Sequence, residues 1–309
     1  VRESDAGLVV RGARLLATLG PLSDEIAVFP STILKVSPES KPYALAFALP
    51  NGTPGMRYLC RDSYDIGKSV FDAPLSSRFE EMDSVVIFDD VLVPWERVFL
   101  YDDPGLCNDA YAKTSAVVHM MHQVVCKNLA KAEFIVGLLC AMVRASERDS
   151  DPRVQELIAE AMWIAESMRA FRRHGEVDAE RDEWGTMTPL RRPLDTARNV
   201  FPRMYPRLIE IVQLLGSSSL MATPSESDFD GPLAEEVERY FQLANLDSRD
   251  RVALFRLAQD VAVSGFGNRQ VLYERFFFGP PERMASAFFQ LYDKEPYIER
   301  VRELLRRSA

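Results

Sequence analysis

At Pro104-Gly105 the periodicity of the apolar residues changes, and this limits the chain to folds that join a β region to a helical one. Before that point the apolar runs are short: Leu8-Val9-Val10, Ala13-Arg14-Leu15-Leu16, Glu25 to Phe29, Tyr43 to Ala48, Met56 to Cys60 and Ser84 to Phe88. Pro, Gly, Asn, Asp and Ser separate them, as in an antiparallel sandwich or barrel. After it, from about Asn108 to Arg148, apolar residues recur at helical spacing with almost no Gly or Pro. Asp151-Pro152 ends this stripe, and Pro152 suits the first turn of a second helix running to about Arg173. A third helix is predicted over roughly 194–215, with others near 232–243, 248–263, 267–277 and 282–307. The fold class expected is α+β: a partial β-barrel domain over 1–104 and a helical bundle domain over 105–309.

Composition narrows the function classes. A net charge of −9, spread along 309 residues, argues against a nucleic-acid partner, which would need concentrated Lys and Arg. No apolar run reaches the roughly 18 residues of a membrane span. Cys60, Cys107, Cys126 and Cys140 show no CxxC spacing and are expected as reduced thiols of a cytoplasmic protein. There is no P-loop, HExxH or GxSxG, and Gly265-Phe266-Gly267-Asn268-Arg269-Gln270 holds only the first two glycines of a dinucleotide fingerprint. The chain begins Val1-Arg2-Glu3, without an initiator Met, directly in a strand pattern.

The histidines are few: His119, His122 and His174. His119 and His122 lie three apart, on one face of a helix, and His is the side chain that accepts a proton near neutrality. They can equally be helix residues satisfied by polar neighbours. His119 and Cys126 also share a face, but no carboxylate cluster stands close in sequence and no metal is expected. Ser76-Ser77-Arg78-Phe79 reads as a loop, and Gly216 to Ser219 with Pro224 to Asp228 as either a phosphate cradle or an ordinary interhelical connection.

Pro74-Leu75-Ser76-Ser77-Arg78-Phe79-Glu80-Glu81-Met82-Asp83, continuing to Phe88-Asp89-Asp90-Val91-Leu92-Val93-Pro94-Trp95-Glu96-Arg97, resembles the large component of the 4-hydroxyphenylacetate 3-monooxygenase family. Val9 to Arg14 with Ala17-Thr18, and Gly265 to Glu274, extend the resemblance over essentially the whole chain. It implies an acyl-CoA-dehydrogenase-like fold with the N-terminal helical domain missing. That missing part would supply an Arg, a Tyr and a His at the site. It also implies a phenol monooxygenase that works through a flavin C4a-hydroperoxide. The cofactor would be reduced FAD, with FMN second; a separate flavin reductase would supply it, and the assembly would be a homotetramer. Thr18 resembles the family's barrel Thr at the flavin, Ser31 and Thr32 its substrate-side pair, and Ser264, Gly265, Phe266 and Gly267 its C-terminal flavin loop. His119 or His122 stands where a His deprotonates the phenol, with His119 favoured. Two alternatives accompany this reading. One is a 4-hydroxybutyryl-CoA dehydratase-like enzyme, whose cluster takes a His and a Cys spaced as His119 and Cys126 are. The other is a non-catalytic oligomerising relative.

Overall fold

The computed structural model describes residues 1–30 and 34–307. Two compact units emerge, Val1–His119 with Ser225–Ser227, and Met120–Pro224 with Asp228–Ala309.

The first unit is antiparallel β. Strands β1 (Arg2–Ser4), β2 (Gly7–Leu15), β6 (Ser84–Pro94) and β5 (Met56–Cys60) form one sheet in the order β1-β2-β6-β5. Strands β3 (Glu25–Val28), β4 (Leu45–Pro50) and β7 (Val98–Tyr101) form a second, in the order β3-β4-β7. Leu8, Val10, Val86, Phe88, Val91 and Val93 from the first sheet meet Phe47 and Leu49 from the second in one buried cluster. Phe47 and Phe88 pack edge to face at 5.7 Å between centroids.

Strand β6 explains why its sequence does not alternate evenly. Ser84, Val86 and Phe88 are buried, then the buried phase moves to Val91 and Val93. Val10 pairs with Val91 and Gly12 with Phe88, so Arg11 faces both Asp89 and Asp90 across a β-bulge. Asp90 takes a φ of 51°, and Gly12 one of 141° that a side chain would resist. The extra residue restores the inward set after the two aspartates.

Ser76–Phe79 departs from the loop expected: it is a single helical turn, α1. Beyond it the long helical stripe is broken into α2 (Pro104–Lys113) and α3 (Ala116–Ala145), because Ser115 takes a φ of 58°. Then follow α4 (Pro152–Val177), α5 (Arg191–Gly216), α6 (Ala234–Tyr240), α7 (Ser248–Ala262) and α8 (Gly265–Phe276). The last helix predicted, 282–307, is two: α9 (Pro281–Leu291) and α10 (Glu295–Arg307).

In the second unit α5 is the central element. Leu194, Phe201, Leu208, Ile211 and Val212 recur at helical spacing and are fully buried. Arg207 on α5 makes a paired contact with Glu160 on α4, and Gln213 donates to the Ala262 carbonyl at the end of α7. No helix among the described residues is long and apolar enough to cross a membrane.

Candidate functional site

A cleft of about 350 Å³ opens in the first unit where β2 runs into the segment leading to β3. Its wall includes Leu15 to Gly20, Ser23 and Glu25, and Thr18 stands on its rim. The segment is held from three sides. Ala17 N–H donates to the Ser84 carbonyl and its own carbonyl accepts from the Ser84 hydroxyl, Leu19 N–H donates to the Met82 carbonyl, and the Asn51 amide donates to the carbonyls of Gly20 and Ser23. The Thr18 hydroxyl donates to Asp83 Oδ1 at 2.8 Å, which leaves its lone pairs able to accept from a ligand.

Asp83 belongs to a charged clamp that ties the Pro74–Asp83 segment to the β-sheet. Arg61 donates to Glu80, to Asp83 Oδ2 at 3.1 Å and to the Glu81 carbonyl at 2.7 Å. Glu80 also accepts from the N–H groups of Tyr64 and Asp65. Burial opposes the charge on Glu80, but Arg61 and these N–H groups outweigh it and hold the carboxyl below its ordinary value. The long sequence signature there is thus a framework for the Thr18 segment. The next signature residues, Asp89 and Asp90, serve the bulge: Arg11 reaches Asp90 at 2.7 Å and Arg57 reaches Asp89 at 3.0 Å.

In the second unit, His122 on α3 faces α4, with Nε2 at 3.0 Å from Glu176 Oε1. Cys126, one turn on, has Sγ at 3.9 Å from the same nitrogen. Burial raises the Cys126 thiol, and Glu176 adds to this, against the opposing effect of Arg172. His119 lies one turn before His122 on α3, half-buried. His174 meets Asp178 at 3.3 Å on the surface of α4. Glu176 carries no sequence signal linking it to α3, 54 residues away.

Ser264 is the N-cap of α8. Its hydroxyl accepts from Gly267 N–H at 3.0 Å and donates to the Asp260 carbonyl at 2.7 Å. A Cβ on Gly267 would lie 2.2 Å from the Val261 carbonyl oxygen, so this glycine lets α8 start against the end of α7. Phe266 is buried. Any ligand contact from this turn would come from the main-chain N–H groups of Gly265 and Phe266, which have no partner inside the helix by position. Ser31 and Thr32 lie outside the described residues.

Sequence reasoning missed a buried polar centre between α3 and α8. Glu274, with only 2% of its side chain exposed, accepts from Lys127 at 2.7 Å and Lys131 at 2.5 Å. Lys131 also donates to Gln270, and both ammonium groups lie over the Tyr273 ring. Burial first, and then Glu274, push the Tyr205 hydroxyl well above its ordinary value. The four-residue spacing of Lys127 and Lys131 was the legible signal; their partner was not. The Gly216–Asp228 stretch takes the form of an ordinary connection, clamped by Arg256 on the carbonyls of Thr223 and Pro224. All four cysteines are free thiols, Cys107 buried and Cys60 exposed.

The family model described as 4-hydroxyphenylacetate 3-hydroxylase N terminal matches residues 1–100, and that described as its C terminal matches residues 107–306. The chain belongs to the 4-hydroxyphenylacetate 3-hydroxylase family. It is 52% identical over 308 residues to the 4-hydroxyphenylacetate 3-monooxygenase oxygenase component of Thermus thermophilus, covering all of this chain and 63% of that relative. It superposes at a TM-score of 0.95, with 51% identity, on an oxygenase component of 4-hydroxyphenylacetate 3-monooxygenase solved with FAD and 4-hydroxyphenylacetate. That match takes in all of this chain and 64% of the solved one. An archaeal 4-hydroxybutyryl-CoA dehydratase from N. maritimus, at 16% identity and a TM-score of 0.85, shares the fold. That structure covers 99% of this chain against 61% of its own. The chain thus spans somewhat under two thirds of the length of these relatives.

The expectation that the family's N-terminal domain is missing is overturned by the match over residues 1–100. The strands that read as a middle domain are themselves part of what the family's N-terminal model describes, so both family parts are represented here. The mixed fold expected, antiparallel sheets that do not close followed by a helical region, is the one found.

Proposed function

We propose that this chain acts as the oxygenase component of a two-component, FAD-dependent phenol monooxygenase. The observation that carries this reading is the 0.95 superposition on an oxygenase component solved with FAD and a phenolic acid. The residues present fit the ring portion of a flavin: a cleft in the usual size range for ligand sites, a fixed segment and a hydroxyl with free lone pairs on its rim. Bound and reduced, the flavin would supply activated oxygen for insertion into the aromatic ring.

The protein's part is to bind, orient and move one proton. Thr18 would hold the flavin edge, steadied by Asp83, and the first turn of α8 would offer N–H groups. Ser31 and Thr32 would line the substrate side. A phenol resembles Tyr, with a pKa of about 10, yet the phenolate is the better nucleophile. A positioned base is worth about 10²- to 10⁴-fold in rate. His119 and His122 are the candidates, and the Glu176 carboxylate fixes the imidazole of His122 in the way an orienting group does for a general base. A separate reductase would deliver the flavin in reduced form, with FMN as a second choice. The assembly would be a homotetramer, working in the cytoplasm, where free thiols persist.

The test mixes the protein with FADH2, oxygen and 4-hydroxyphenylacetate and measures the ortho-hydroxylated product. Product is expected from the unaltered chain. His119→Ala or His122→Ala, whichever removes the base, should lower product at least tenfold while oxygen consumption continues as released peroxide. Tight FADH2 binding with no product from any phenol tried would sink the reading.

A further inference from the structure

His122, Cys126 and Glu176 bring a nitrogen, a sulfur and an oxygen donor within 4.8 Å of one another. We propose that these three side chains bind a single divalent transition-metal ion of zinc-like softness. The site departs from the metal-free expectation drawn from sequence, because its carboxylate comes from a different helix.

The geometry is that of a chelate. His122 and Cys126 are four apart on α3, so they project from one face, and Glu176 on α4 faces them. Zinc bonds of about 2.0–2.1 Å to nitrogen, 2.3 Å to sulfur and 2.0–2.2 Å to oxygen put tetrahedral ligand atoms about 3.4–3.6 Å apart. Here the nitrogen–sulfur distance is 3.9 Å and the nitrogen–oxygen distance 3.0 Å. The sulfur and the carboxylate oxygen lie within 4.8 Å of each other, so binding an ion would require these side chains to draw together.

The donor chemistry agrees. Imidazole, thiolate and carboxylate together suit zinc and its neighbours, whereas calcium and magnesium prefer oxygen donors throughout. A thiolate and a carboxylate carry two negative charges, matching a divalent ion. Arg172 Nε lies 3.4 Å from the same Glu176 Oε1, so a bound ion would share that carboxylate with the guanidinium. All three ligands are half-buried, so an ion can enter from solvent, and three protein donors leave a fourth position open. An ion on His122 Nε2 would take the place of the Glu176 contact and leave the ring's one proton on Nδ1, so the imidazole could no longer accept another. If His122 is the base of the proposed hydroxylation, metal would switch that reaction off. This consequence rests on the hydroxylase reading; the metal site does not.

Cobalt(II) serves as the probe, because thiolate–cobalt charge transfer absorbs where the protein and free cobalt do not. Titration of the full chain should give such a band and saturate at one ion per chain. Cys126→Ser should abolish the band, and Glu176→Gln should weaken cobalt binding by more than about tenfold, the scale seen even for partners one shell out. Cys60→Ser, at the exposed thiol, should leave band and affinity unchanged, and circular dichroism should show each variant folded. No band at saturating cobalt, or a band that survives Cys126→Ser, would overturn the proposal. Because the readout is spectroscopic, it stands or falls independently of hydroxylation.

Discussion

Glu80 shows how one residue can serve the site without touching a ligand. Its carboxylate takes the Arg61 guanidinium and two backbone N–H groups, and the same Arg61 holds Asp83, the acceptor for Thr18. Because Glu80 is held below the ordinary carboxylate range, its stabilising contribution is present above the unfolded value and fades as pH falls through the lower folded one. Glu80→Gln should cost about 2 kcal/mol near neutrality. It should also flatten that part of the acid limb in pH-dependent urea melts; an unchanged acid limb would mean that the clamp contributes nothing. Gly267 teaches the opposite lesson. Its place in a signature glycine pair suggests a ligand loop, yet its missing Cβ is explained by the 2.2 Å approach to the Val261 carbonyl. Its bond from N–H to Ser264 adds the cap.

Among the elements, β6 carries the longest stretch of family signature, and the reason is register. Val91 and Val93 are fully buried only because Asp89 and Asp90 together oppose Arg11. Deleting Asp90 would turn both valines outward and Leu92 inward, so cooperative unfolding of the β region should be lost. Asp90→Asn keeps the bulge and gives up ion pairs that are about half exposed, so it should cost under about 1 kcal/mol in a denaturant melt. Equal damage from the two changes would show that charge, not register, is what the aspartates supply. The helices teach a related point. α3 was legible from its stripe, but its N-terminal break at Ser115 was not, since a single left-handed residue leaves hydrophobic periodicity almost untouched.

For the whole molecule, the C-terminal helices α9 and α10 carry a run of exposed apolar residues, among them Phe289 and Leu291 on α9. On α10, Tyr297, Val301, Leu304 and Leu305 are each at least half exposed. On the proposed homotetramer, this helix would supply contact between copies. Light scattering should report four chains, and removing residues 295–309 should lower that number while circular dichroism keeps the remaining helices; an intact tetramer would assign the contact elsewhere. What the sequence determined by itself was the order β then α, most strand positions, the long helices and the family, because these rest on local periodicity and on contiguous motifs. The same signatures could not say which of their residues meet a ligand, since a motif fixed by register or by a charge clamp reads like one fixed by chemistry. Tertiary structure decided the partners: Glu176 beside His122 and Cys126, Glu274 beneath Lys127 and Lys131, and Asp83 under Thr18. Each joins residues far apart along the chain, and only the packing of strands and helices brings their charges within hydrogen-bond reach.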